Sequence, residues 1–114
     1  MPTEEELLAS IVASAREAHA LAMAHSPKDL DSNRMLELSL TKLVENIGEA
    51  ARLLSDETRL LAPDIPWRDI VAMRHRLVHD YSSINLEILW EVVAVDCPKL
   101  VAAVAPLISV EEED

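Results

Sequence analysis

Apolar residues recur three and four positions apart along most of this chain, the period of an α-helix with one buried face. Leu8, Ile11, Val12, Ala15, Ala18 and Ala22 keep that spacing and predict a first helix from residue 4 to about 24. Thr3 and Glu6 stand in the relation of a capping box, and Glu4 and Glu5 suit the positive end of the helix dipole. His25-Ser26-Pro27 ends the element, and Lys28 to Asn33 reads as a polar connection. Leu36, Leu40, Leu43, Ile47, Ala51 and Leu54 predict a second helix from about Arg34 to Leu54. Ser55 to Pro66 holds two prolines and reads as a connection with at most one short turn around Glu57–Leu61. A third helix is predicted from Trp67 to about His79, with Ile70, Met73, Leu77 and then Tyr81 as its core line. Asn85 caps a fourth, from Leu86 to about Asp96. Pro98 lacks an N–H and must kink or restart the helix, so that Lys99–Leu107 either continues it or forms a fifth short one.

These elements predict one all-α domain over residues 1–114, an up-and-down bundle of four to five helices, with an acidic tail at 110–114 that frays. Leu8, Ile11, Leu40, Leu43, Ile47, Ile70, Leu77, Leu89 and Val92 are its predicted interior. A sandwich, barrel or Rossmann sheet needs turn glycines and strand runs, whereas this chain has one Gly, no Phe and 3% aromatics. That one glycine, Gly48, falls inside the second helix, where it costs about 1 kcal/mol against Ala. Either another backbone approaches closely there, or the position has no special role.

Charge narrows the partners. Ten Lys and Arg stand against 21 Asp and Glu, a formal net charge of −11. Most of such a surface repels nucleic acid, so a nucleic-acid role needs a local basic site; a basic protein partner suits it equally. The one cysteine, Cys97, excludes a disulfide framework and suits a reducing cytoplasm. No stretch reaches the ~18 apolar residues a membrane span needs. Glu4, Glu5 and Glu6 stand where a signal peptide would be basic. The sequence thus reads as a soluble cytoplasmic protein with no membrane contact.

One segment stands apart in chemistry: Met73-Arg74-His75-Arg76-Leu77-Val78-His79-Asp80-Tyr81. Arg supplies fixed positive charge in a fork that fits a phosphate, His exchanges a proton near neutral pH, and Tyr can donate to a phosphoryl oxygen or be modified. On one straight helix Arg74 and His79 would lie ~140° apart and ~7.5 Å along the axis, too far round to meet over one phosphate. A usable site therefore needs the helix to end near His79, or a second copy of the chain across a two-fold axis. Plainer readings compete. Arg76 and Asp80 are spaced as an i,i+4 ion pair, and Tyr81 as a core residue at a helix end. His75 and His79 have the i,i+4 spacing of zinc ligands, but no helical Glu or cysteine completes a set, so no metal is expected.

Arg74, His79 and Tyr81 form R-x4-H-x-Y, the signature of the HEPN superfamily, and the chain specifically resembles its HepT-like (DUF86) toxins. Asn46-Ile47-Gly48-Glu49-Ala50-Ala51 is similar to that family's mid-helix stretch. Ile65-Pro66-Trp67, Met73-Arg74, Val78-His79-Asp80-Tyr81 and Leu86 to Val92 follow the layout of its second half. His75 departs from it, standing where many members carry Asn. The resemblance implies a dimeric, metal-independent ribonuclease toxin without a cofactor, with Arg74 and His79 catalytic in a cleft between two copies. His75 and Arg76 would then help to bind RNA. It further implies an MntA-type nucleotidyltransferase antitoxin that transfers AMP to Tyr81 and silences the toxin. The competing function is a catalytically silent dimer that only binds the nucleotidyltransferase, which the acidic surface favours; the intact Arg74/His79/Tyr81 set favours the enzyme.

Overall fold

A computed structural model describes the backbone of residues 1–80 and 83–108, and the side chains of that set apart from 78–80 and 83. Helix α1 (Glu4–Met23) opens on the expected capping box. The Glu6 N–H donates to Thr3 Oγ1 at 3.0 Å and the Thr3 N–H to Glu6 Oε1 at 2.8 Å. The connection at 28–33 contains one helical turn, α2 (Asp29–Ser32), which buries Leu30. Asn33 then caps α3 (Arg34–Leu53), its side-chain oxygen accepting from the Leu36 N–H at 3.0 Å. The Ser55 N–H donates to the Glu4 carboxylate at 2.8 Å. The start of α1 thus meets the end of α3, and the two run antiparallel.

The stretch between Ser55 and Pro66 is better fixed than a polar connection would be. Ser55 caps a short α4 (Asp56–Arg59). Arg59 Nη2 donates to the carbonyls of Ala51 at 2.8 Å and Arg52 at 3.3 Å, satisfying the open end of α3. Trp67 is buried, and its Nε1 donates to the carbonyls of Arg59 at 3.0 Å and Ala62 at 3.1 Å. An aromatic ring with one polar handle holds this segment to the core.

The third helix departs from expectation. It is divided at Ala72 into α5 (Trp67–Val71) and α6 (Met73–Leu77), and it ends at Leu77 rather than His79. The chain then forms β1 (Val78–Asp80), paired antiparallel with β2 (Ser83–Ile84). The Asn85 N–H donates to the Leu77 carbonyl at 2.7 Å and closes the base of this hairpin. Cross-strand pairing meets backbone groups that another helical turn would have served, and β-branched Val78 and Ile84 stand opposite each other in it. In the register, Val78 faces Ile84 and Asp80 faces Ser83. Two steps on β1 therefore match one step on β2, and His79 is the extra residue of a bulge.

Asn85 caps α7 (Leu86–Glu91), accepting from the Ile88 N–H at 3.1 Å. The helix does not break at Pro98. It passes through a π turn (Val92–Asp96) into α8 (Cys97–Val104) and a 3₁₀ turn (Ala105–Leu107). The Cys97 N–H bonds the Val92 carbonyl, five residues back. The next such bond would run from residue 98 to Val93, and proline has no N–H to make it. His19 on α1 fills the gap, its Nδ1 lying 3.2 Å from the Val93 carbonyl.

The result is an all-α bundle of four arms, α1, α3, α5–α6 and α7–π–α8, with α1 packed along α3 and α8 and α3 against α5 and α6. Of the predicted interior, Leu8, Ile11, Leu40, Ile47, Leu77, Leu89 and Val92 are buried, and Leu43 and Ile70 are half-buried against them. Cys97 is also in the core, where burial, with the Asp96 charge, pushes its thiol up to about 12. Among the described residues no helix is long and apolar enough to cross a membrane. Gly48 marks a close approach: a Cβ placed there would stand 3.3 Å from the Ile70 carbonyl oxygen. This contact brings the end of α5 hard against the middle of α3.

Candidate active site

Just past that contact, α6 forms one wall of a cleft of about 470 Å³ whose other wall is α3. Arg74 and His75 project from α6; Lys42, Asn46, Glu49 and Arg52 come from α3. The four α3 residues are spaced by 4, 3 and 3 positions and so share one face of their helix. Arg74 and His75 are exposed. Glu49 binds Arg52 in a two-pronged pair, with Arg52 Nη2 at 2.6 Å and Nε at 3.2 Å from its two oxygens. Hydrogen bonding to Arg52 holds the Glu49 carboxyl below its ordinary range, aided by the charges of Arg52 and of Arg74.

Arg76 does not join this cleft. It lines a second groove of about 530 Å³, floored by apolar residues and rimmed by Asp64, Asp69, Glu91, Asp96 and Lys99. A step of two residues turns ~200° about a helix, which sends Arg74 and Arg76 to opposite sides of α6. The RNA-contact role expected for His75 and Arg76 together is therefore divided: His75 lies with Arg74 and Arg76 lies elsewhere. Arg76 acts on Asp96, whose carboxyl is pushed up chiefly by partial burial and by Glu91, against the pull of Lys99 and Arg76.

The end of α6 at Leu77 also removes three helical premises. Arg76 and Asp80 are not an i,i+4 helical pair, because Asp80 is in β1. His75 and His79 lose the helical spacing of zinc ligands for the same reason. The ~140° divergence of Arg74 and His79 belongs to a straight helix; with the helix ended, it no longer gives a geometric reason for a second copy of the chain. The backbone at His79 is in the bulge, while the side chains of His79 and Asp80 lie outside the described residues, as does the whole of Tyr81. The tail at 110–114 lies outside them too. Among the described residues, no three His, Cys, Asp or Glu side chains converge as a metal site would require.

Sequence reasoning missed Lys42, Glu49 and Arg52 as residues of this site. Their signal was available: a polar i, i+3, i+4 face running past the one glycine of the chain, where another backbone must come close. Together the residues make a cleft that can receive an anion, lined by the exposed His75 and Arg74 side by side on α6.

Residues 11–107 match the family model described as "Ribonuclease HepT-like". Named relatives agree with it. A protein of Methanocaldococcus jannaschii named as a candidate RNase is 35% identical over 78 residues, covering 64% of this chain and 72% of that one. A probable ribonuclease HepT of Thermococcus cleftensis is 32% identical over 73 residues, covering 64% and 66%. A candidate RNase of Caldanaerobacter subterraneus is 31% identical over 85 residues, covering 75% and 76%. No solved structure gives a significant match.

Proposed function

This chain belongs to the HepT-like ribonuclease family, and from that premise we propose that it is an RNA endonuclease whose working groups are Arg74 and His79. His79 takes the proton from an RNA 2′-hydroxyl, or returns one to the departing 5′-oxygen. The 2′-oxygen forms a bond to phosphorus as the P–O5′ bond breaks, leaving a cyclic phosphate on one product and a 5′-hydroxyl on the other. Arg74 stabilises the charge that gathers on the phosphorane oxygens. No metal ion takes part. The observation that carries this reading is the end of α6 at Leu77, which frees His79 from the helical angle that would turn it away from Arg74. Bulges recur beside active sites because they re-aim the chain locally.

The same reading makes the chain the toxin of a type VII-like toxin–antitoxin pair, working as a two-fold dimer in the cytoplasm. A partner nucleotidyltransferase silences it: the Tyr81 hydroxyl attacks the α-phosphorus of ATP, and pyrophosphate leaves. The adenylate adds negative charge two residues from His79, where RNA phosphate must sit.

The test is cleavage of RNA by the unmodified chain in EDTA. His79→Ala should abolish it, and Arg74→Ala should lower its rate by about 10²–10³, the usual cost of losing one transition-state donor. Incubation with the partner and ATP should add whole AMP masses, all absent in Tyr81→Phe. A wild-type chain that cuts no RNA would leave the silent binding dimer as the reading.

A further inference from the structure

A chain this acidic must hold RNA with very few cations. Of its ten Lys and Arg, three line the cleft between α3 and α6: Lys42, Arg52 and Arg74. Two carboxylates, Glu45 and Glu49, share that cleft. The second groove carries the opposite balance, four carboxylates (Asp64, Asp69, Glu91, Asp96) to two cations (Arg76, Lys99). A polyanion is therefore repelled by one groove and admitted by the other.

The α3 wall is laid out as a track. Lys42, Asn46, Glu49 and Arg52 fall within an arc of about 120°, and Lys42 to Arg52 spans about 15 Å of helix axis. That is longer than a single phosphodiester. Arg52 is the adjustable member. Its guanidinium grips Glu49 through Nε and Nη2, the same two-pronged geometry with which Arg grips phosphate. Both side chains are more than half exposed, at 57% and 60%, and an ion pair so open to water and salt is weak, so a phosphate can displace the carboxylate.

We propose that Lys42 and Arg52, with Arg74, bind the RNA backbone along α3, and that Glu49 holds Arg52 in place until a phosphate takes its position. This rests on the ribonuclease reading for its substrate class, and adds residues that lie outside the R-x4-H-x-Y signature. Lys42 and Arg52 act by binding, not in the chemical step.

The test uses the full chain and a dye-labelled, single-stranded 2′-O-methyl RNA oligonucleotide, which has no free 2′-hydroxyl and cannot be cleaved. Binding is followed by anisotropy over a range of salt. Lys42→Ala combined with Arg52→Ala should weaken binding tenfold or more. It should also flatten the slope of log affinity against log salt by about 1.4, about 0.7 for each phosphate that the variant no longer neutralises. Glu49→Gln should strengthen binding several-fold, a change opposite in sign that no loss of structure would produce. Arg16→Ala combined with Arg34→Ala removes two cations outside the cleft and should leave the slope unchanged. Equal slopes for wild type and the Lys42/Arg52 variant would overturn the track, as would no binding by wild type, or an equal loss in the Arg16/Arg34 control. A chain that binds through Lys42 and Arg52 but cuts no natural RNA would keep the track and lose the ribonuclease reading. A chain that cuts RNA with no change of slope in the Lys42/Arg52 variant would do the reverse.

Discussion

Gly48 shows how two small effects are weighed at a single residue. Replacing it with Ala removes the cost of a mid-helix glycine, a gain of about 1 kcal/mol. The added Cβ meets the Ile70 carbonyl oxygen at 3.3 Å, closer than an ordinary contact, so α5 must give by a few tenths of an ångström. The two effects are of similar size and opposite sign. Gly48→Ala should therefore change stability by less than about 1 kcal/mol, whereas Gly48→Val, with two further methyl groups aimed at the same backbone, should cost more than about 2 kcal/mol. Urea unfolding of both variants measures the difference. The glycine itself was legible in the sequence, since a lone glycine inside an amphipathic helix is costly without a close neighbour. Which backbone lay against it was not, because periodicity on one element says nothing of its partner's position.

At the scale of elements, amphipathic spacing and caps marked out the long helices, as at Thr3–Glu6, Leu36–Leu54 and Asn85. The end of α6 was harder to read. Neither glycine nor proline stands between Met73 and Ile84. The only cues were β-branched Val78 and Ile84 flanking Ser82-Ser83, and the helical spacing of Met73, Leu77 and Tyr81 argued against them. Cross-strand bonds prevailed, since hairpin pairing depends on residues a helix count does not relate. Pro98 was legible as an interruption, but its accommodation was not. The π turn leaves the Val93 carbonyl without a helical donor, and His19 supplies one from a position 74 residues away. His19→Ala should cost about 1–2 kcal/mol by leaving that carbonyl unmet. In thermal melts this is a fall of about 4–8 °C for each kcal/mol in a small domain. In a Pro98→Ala background the helix regains an N–H at residue 98, so the same His19→Ala step should cost at least about 0.5 kcal/mol less, a coupling of ordinary size for residues that share a partner. Equal costs in the two backgrounds would show that His19 serves some other contact.

Across the whole molecule, the net charge of −11 is not spread evenly. The cationic cleft and the acidic groove lie on either side of α6, separated by the turn that sends Arg74 one way and Arg76 the other. The acidic side carries a cost that pH should reveal. Partial burial first, and then the neighbouring charge of Glu91, push the Asp96 carboxyl above its ordinary value of 3.8, while Lys99 and Arg76 pull it back. A carboxyl whose pKa is higher in the folded than in the unfolded chain binds its proton more tightly when folded. Its ionised form therefore opposes folding. That opposition is complete above the folded pKa, fades as pH falls through it, and is gone below the unfolded value. Asp96→Asn removes the charge and keeps the shape, so at pH 7 the variant should melt above wild type. As the buffer is taken from pH 7 towards pH 4, wild type should take up its proton and the gap should close. A gap of opposite sign at pH 7, or one unchanged down to pH 4, would mean that Lys99 and Arg76 outweigh burial and Glu91, and that the Asp96 charge stabilises the groove.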